Sequence, residues 1–184
     1  MRCFVAIRPT EDALDRLQAL QREIPAARLP PRENLHLTLS FLDDLDDALL
    51  AALHERLEAI RQPAFDVTFR GVDLFPGKAP KILYAAIRPD PALLALHGAV
   101  RRAAETVGIG LKRERYRPHV TLGRFNRPPG GLDADRLGAF LAVNAMLGGG
   151  FAVSGFSLFR SELGGGPARH TELACYPLGS VSEV

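Results

Sequence analysis

The chain has 184 residues, 47% of them hydrophobic and 24% charged, with a formal net charge of +2 at pH 7. That length fits one domain, or two small lobes sharing a core, in an ordinary soluble globular protein. The small net charge argues against long duplex nucleic acid as a partner, no run approaches the ~18 apolar residues of a membrane span, and the opening "MRCFVAIRPTED" lacks an apolar stretch of signal length, so a cytoplasmic protein is expected.

Periodicity and breakers predict the elements in chain order. "CFVAI" (3–7) is a short apolar run suited to a buried strand. In "TEDALDRLQALQREI" (10–24), Thr10 stands where an N-cap belongs and Leu14, Leu17, Leu20 and Ile24 make one helical stripe, which stops before Pro25. "LHLTLSF" (35–41) reads as a strand and "DDALLAALHERLEAI" (46–60) as an amphipathic helix opening on acids, as the helix dipole favours. "FDVTFRGVDLF" (65–75) is a long strand or a bent pair of strands, with Gly71 as a bulge candidate, and "PGKAP" (76–80) is a turn. The order then repeats: strand "ILYAAI" (82–87), helix 91–108, strand "HVTLGRF" (119–125), a helix near 133–144, strand "FAVSGFSLF" (151–159), with "HTELACYPL" (170–178) as one strand more.

Three landmarks mark a duplication: "VAI" at 5–7 against "AAI" at 85–87, His36 against His119, and "GVDLF" at 71–75 against "GFSLF" at 155–159, at offsets of 80, 83 and 84 residues. The expected fold class is α+β, a bilobal duplicated unit of two lobes, each a sheet layered with helices, facing each other across a central cleft. The pseudo-repeats run roughly 1–78 and 79–178 within a single domain spanning 1–184, since no linker or composition break separates them.

Both repeats carry His-x-Thr-Leu in an apolar strand, at His36–Leu39 and His119–Leu122. Alternation places His36 and Thr38 on one face, about 7 Å apart, and Leu37 and Leu39 on the other; His119 and Thr121 split from Val120 and Leu122 in the same way. Two-fold lobe symmetry then brings two imidazoles and two hydroxyls together in the cleft. Histidine titrates nearest neutrality, so one can enter a reaction protonated and the other neutral, one giving a proton to a leaving oxygen while the other takes one from an attacking oxygen. The threonines can hydrogen-bond non-bridging phosphoryl oxygens. A single strand histidine is more often structural than catalytic, and His54 and His97, on helices without a threonine partner, are read so. The symmetric pair is not.

Neither motif strand contains a carboxylate, and two histidines alone make a poor metal site, so metal-independent chemistry without a cofactor is expected. Cys3 and Cys175 have no ligand spacing and are read as two buried thiols. The "GGG" runs at 148–150 and 164–166 lack the strand-to-helix context of a phosphate cradle and read as turns. Nearly all basic residues are arginine, which a GC-rich coding bias explains and which also supplies forks for bidentate phosphate binding.

The segments "RCFVAIRP", "NLHLTLSFL", "YRPHVTLGR" and "LFRSELGGGPARHTELACYPL" together resemble the bacterial and archaeal 2H phosphoesterases called RNA 2′,3′-cyclic phosphodiesterases, historically 2′-5′ RNA ligases. The resemblance implies that the two sheets are antiparallel-rich with the helices on the outside. It implies hydrolysis of RNA 2′,3′-cyclic phosphate ends to 2′-phosphomonoesters, with His119 as proton acceptor, His36 as proton donor, and Thr38 and Thr121 holding the phosphoryl oxygens. The reverse, 2′-5′ ligation, is physically available. It also favours arginine at positions 117 and 124. Arg117 shares His119's face by alternation, whereas Arg124 faces away unless the strand bends at Gly123; Arg113, Arg115 and Arg127 fall on flanking loops. This chain has no tryptophan, so a base-stacking surface must come from Tyr84, Tyr116, Phe41 or Phe125, with Tyr84 in the strand where many relatives carry tryptophan. His170 stands where relatives often carry tyrosine. The implied partner is RNA with a cyclic phosphate end, bound by a monomer, with neither membrane nor DNA. Two other readings keep the same residues: a cyclic phosphodiesterase acting on a small nucleotide, and a non-catalytic RNA or nucleotide-binding module.

Overall fold

The computed structural model describes residues 1–76, 82–113, 115–164 and 167–179. The elements follow in the expected order: β1 (Arg2–Ile7), α1 (Glu11–Arg22), β2 (Leu37–Asp44), α2 (Asp47–Glu58), β3 (Phe65–Leu74), β4 (Ile82–Ile87), α3 (Pro91–Thr106), β5 (His119–Arg124), α4 (Leu132–Asn144), β6 (Gly150–Val153), β7 (Gly155–Glu162) and β8 (Arg169–Pro177), with a 3-10 turn at Arg32–Asn34. Beyond Pro76, the turn expected over 76–80 lies outside the described residues, as does most of the second glycine run. Among the described residues no helix is long and apolar enough to cross a membrane.

Local chemistry accounts for the helix starts. Thr10 occupies the N-cap position of α1 without a side-chain cap bond, and Glu11 and Asp12 supply the negative charge the first turn favours. Asp46 caps α2 by accepting from the Leu49 amide at 2.8 Å. Gly71 makes the predicted bulge in β3: its φ is +91, the register slips between Phe69 and Val72, and any Cβ there would run into the Ala145 carbonyl.

The eight strands lie in the order β6-β3-β4-β5-β2-β1-β7-β8, and every pairing between them is antiparallel. The eight form one continuous sheet, whose two halves meet at a single ladder pair, Leu37 opposite Val120. The helices pack on it, α1 against β5, α3 against β2 and α4 against β3, over a core that includes Leu37, Leu39, Val120 and Leu122, each at most 1% exposed.

The long strand of each repeat joins the other repeat's half of the sheet. β3 pairs with β4, and β7 pairs with β1. Each lobe therefore takes strands from both ends of the chain. The single strand expected over 151–159 is in fact two, broken at Ser154: β6 completes one half of the sheet beside β3 and β7 enters the other beside β1. The break is a change of phase. Phe151 and Val153 point inward, then Phe156 and Leu158 do, which one period-2 strand cannot arrange. Cys3 is buried as expected, but Cys175 is exposed; it lies on the edge strand β8 at a position facing solvent while its neighbour Tyr176 takes the inner side.

Candidate active site

The single junction pair decides how the two motifs meet. With Leu37 opposite Val120 in an antiparallel pair, Thr38 is carried toward His119 and His36 toward Thr121, all on the face opposite the core leucines. All four line one cleft of about 1060 Å³, together with Arg117 and Arg124. The repeat therefore delivers its chemistry as a crossed pair of His and Thr.

The two imidazoles are held alike. His36 Nδ1–H donates to the Asn34 carbonyl at 2.8 Å, and His119 Nδ1–H donates to the Arg117 carbonyl at 2.7 Å. A carbonyl only accepts, so Nδ1 carries the proton in both rings and Nε2 is the nitrogen left for a ligand. Asn34 is itself tied down, its side-chain amide donating to the Ala168 carbonyl at 2.6 Å. Aromatic rings pack each imidazole: Phe4 at 4.8 Å and His170 edge-on at 5.4 Å for His36, Phe75 at 4.8 Å and Tyr84 at 5.4 Å, both edge-on, for His119.

Burial drives the His36 pKa down to about 4, with the charge of His170 adding to the shift, the Asn34 carbonyl opposing it, and His119 and Arg124 contributing further. His119 is also lowered, first by burial and then by Arg124, against the Arg117 carbonyl. Burial thus disfavours the charged form of both rings, most strongly at His36. An anion bound beside them reverses the balance, because a negative charge favours the imidazolium.

Arg124 reaches this face through a bulge. Leu83 lies opposite Gly123 and Tyr84 opposite Thr121, so Leu122 is an extra residue in β5; Leu122 and Gly123 both turn inward and Arg124 emerges on the cleft side. β2 repeats the device, with Leu39 extra between Thr38 and Ser40. Phe41 is thus the counterpart of Arg124, and it stands in the cleft wall 67% exposed.

Other expected residues are placed differently. Tyr84, expected as a substrate-stacking surface, is only 8% exposed and does not line the cleft. It sits in a central strand between Asp73 and Thr121, so its ring supports His119 from beneath. Tyr116 is covered on one face by His97, the rings 3.8 Å apart and within 5° of parallel, and its hydroxyl donates to the Thr38 carbonyl at 3.0 Å; Phe125 belongs to the core. Of the four aromatic candidates, Phe41 alone presents an exposed ring. Arg115 lines the cleft, and Arg127 lines a neighbouring cavity. His54 is structural, its Nδ1 at 2.9 Å from the Tyr176 hydroxyl. His170 is the cleft residue that strand periodicity had no means to find, because only the pairing of β8 with β7 brings it to Phe4 and His36.

The site thus offers two Nε2 atoms for proton transfer, two hydroxyls that donate hydrogen bonds, and guanidinium groups for an anion. That set suits phosphoryl chemistry. Comparison with known proteins agrees. Residues 8–162 match the 2′-5′ RNA ligase superfamily. A protein of Archaeoglobus fulgidus named RNA 2′,3′-cyclic phosphodiesterase is 27% identical over 131 residues, covering 69% of this chain and 74% of its own. The crystal structure of Escherichia coli LigT complexed with 3′-AMP matches with a TM-score of 0.76 at 26% identity, over 96% of this chain and 97% of that one. A crystal structure of a Thermus thermophilus protein matches in fold with a TM-score of 0.80 at 24% identity, over 98% of this chain and 100% of that one.

Proposed function

This chain belongs to the 2′-5′ RNA ligase superfamily, the 2H phosphoesterases, and on that premise we propose that its cleft hydrolyses RNA 2′,3′-cyclic phosphate ends to 2′-phosphomonoesters. The observation that carries the reading is the crossed His-Thr pair, each imidazole held by its Nδ1–H on a carbonyl two residues back. His119 Nε2 takes a proton from the attacking water as the new P–O bond forms. The P–O3′ bond breaks, and His36, protonated through Nε2 once the phosphate is bound, gives its proton to O3′. Water then returns the pair to its starting charges. Thr38 and Thr121 donate to the non-bridging oxygens, where negative charge accumulates, and Arg124 and Arg117 balance that charge.

The proton work and the charge balance both come from side chains, so the reaction needs no metal. DNA lacks the 2′-hydroxyl from which the cyclic phosphate is built, so RNA is the substrate, and the chain acts as a cytoplasmic monomer. Microscopic reversibility keeps 2′-5′ ligation open as the reverse direction, in which an RNA 5′-hydroxyl must outcompete water at about 55 M through positioning.

The test is timed hydrolysis of a short 5′-labelled RNA ending in a 2′,3′-cyclic phosphate, in EDTA, with the product isomer identified. A 2′-phosphate end formed without metal is expected. No turnover, or a 3′-phosphate product, overturns the proposal, and tight binding without turnover replaces it with a binding module. In the same assay Arg124→Ala lowers kcat/KM by about 10- to 100-fold, the worth of a hydrogen bond to a charged group of about 1.5–3 kcal/mol. Unchanged kcat/KM removes Arg124 from the site.

A further inference from the structure

The two His-x-Thr strands leave the cleft through matching exits of different charge. After each Thr-Leu, β2 runs Ser40-Phe41-Leu42-Asp43-Asp44, and β5 and its continuation run Gly123-Arg124-Phe125-Asn126-Arg127. Leu42 and Phe125 are buried at equivalent places; around them, Phe41 answers Arg124, Asp43 answers Asn126 and Asp44 answers Arg127. One exit therefore carries two carboxylates, with Asp44 at 3.4 Å from the N-terminal ammonium and opposite Arg2 in the ladder, and the other carries two guanidinium groups at the matching places.

A second cavity of about 670 Å³ opens at the basic exit, and it shares Arg28 and Arg124 with the catalytic cleft. Its wall adds Asn126, Arg127 and one carboxylate, Asp133. The ledge between the two spaces is built in: the Arg28 amide donates to the Arg124 carbonyl at 2.8 Å and the Arg124 amide to the Arg28 carbonyl at 2.9 Å. Gly123 allows this approach, since a Cβ there would lie 3.0 Å from that of Ala27, whereas β2 has Ser40 in its place. Among the described residues neither Arg28 nor Arg127 forms an ion pair. The volume is that of a pocket for a ligand of nucleotide size.

We infer that the RNA body, the nucleotides 5′ of the reacting end, leaves the cleft over Arg124 and Arg28 and seats its next phosphate and base in the cavity walled by Asn126 and Arg127. The inference rests on the reading of the cleft as a site for RNA ends. Asp43 and Asp44 offset the cations of their exit, Arg2 and the N-terminal ammonium, whereas Arg28, Arg124 and Arg127 outnumber Asp133 at the other, so a polyanion is drawn to the second, and the planar guanidinium of Arg127 suits a phosphodiester.

The experiment measures Kd by fluorescence anisotropy for 5′-fluorescein RNAs of one, two and four nucleotides ending in a 2′-phosphate, at several salt concentrations. Hydrolysis of the matching cyclic phosphates and thermal melts are run alongside. Wild type is expected to bind two nucleotides at least about fivefold more tightly than one. Arg127→Ala and Arg28→Ala abolish most of that gain, each lowering the slope of log K against log salt by about 0.7, while Asp44→Arg tightens binding no further. A length gain that survives both arginine variants, or one that grows in Asp44→Arg, overturns the assigned exit. The absence of any length gain overturns the subsite but spares the end-hydrolysis reading if the one-nucleotide cyclic phosphate is still opened. Failure to bind or open any of the three overturns both.

Discussion

Hydrolysis of a cyclic phosphate end is expected to fall at least about a hundredfold in His36→Asn and in His119→Asn, and by a similar factor in the corresponding alanine variants, if the proposed roles hold. General acid–base catalysis by one group is typically worth about 10² to 10⁴ in rate, and each imidazole here has only Nε2 to contribute, because Nδ1 is spent on a backbone carbonyl. Asparagine separates the chemistry from the architecture. Its amide can still donate to the carbonyl of Asn34 or Arg117 in place of Nδ1, but nothing replaces Nε2. Alanine at 36 also leaves a void beside Phe4 and His170, so its melting point falls more than that of the asparagine variant. The double variant loses little beyond the worse single one, since acid and base act in one step. Steady-state kcat/KM at fixed pH is the measurement. Wild-type rates in both asparagine variants would remove the histidines from the mechanism and leave them as supports of the strand ends.

The second large effect is on pH. In the proposed mechanism the productive enzyme has one imidazole protonated and one neutral, and in the free protein burial holds both pKa values below the ordinary histidine value of 6.5, His36 at about 4 and His119 lowered further by Arg124. Above the higher of the two, the singly protonated form declines tenfold per pH unit. kcat/KM, which reports the free enzyme, therefore falls about tenfold per unit from below pH 6.5 upward, and falls again only when both rings are protonated. Bound phosphate raises both pKa values, so the alkaline limb of kcat lies at higher pH than that of kcat/KM. A kcat/KM that is flat or rising between pH 7 and 8.5 would refute this ordering. The same shift has a thermodynamic sign. Between pH 6.5 and about 4 the unfolded chain binds a proton at residue 36 that the folded chain does not, so stability is lost as pH falls through that window. The acid-side drop in Tm is smaller in His36→Asn.

Much of the fold was legible because it is written in local periods. The apolar stripe of α1, the period-2 strands and the bulge glycine Gly71 are properties of neighbouring residues, and the elements lie where those periods put them. The strand 151–159 was misread as one because its phase change between Val153 and Phe156 is subtle in an all-apolar run, although the signal is present in "FAVSGFSLF". Tyr84 was assigned to substrate because an aromatic in a strand can face either way; its partners Asp73 and Thr121 enclose it. Tyr116 was a stacking candidate until His97, from a helix 19 residues away in sequence, covered its ring.

By itself the sequence determined the elements and the two His-x-Thr pairs with their polar atoms on the side opposite the core, since alternation along a strand is local geometry. Only the tertiary structure decided that β3 and β7 cross over to pair with β4 and β1, that the one ladder pair between β2 and β5 crosses His with Thr, that burial lowers both imidazole pKa values, and that His170 stands beside His36. These depend on which distant segments pair and on how much water they exclude, and neither strand pairing across 83 residues nor desolvation has a trace in a run of neighbouring letters.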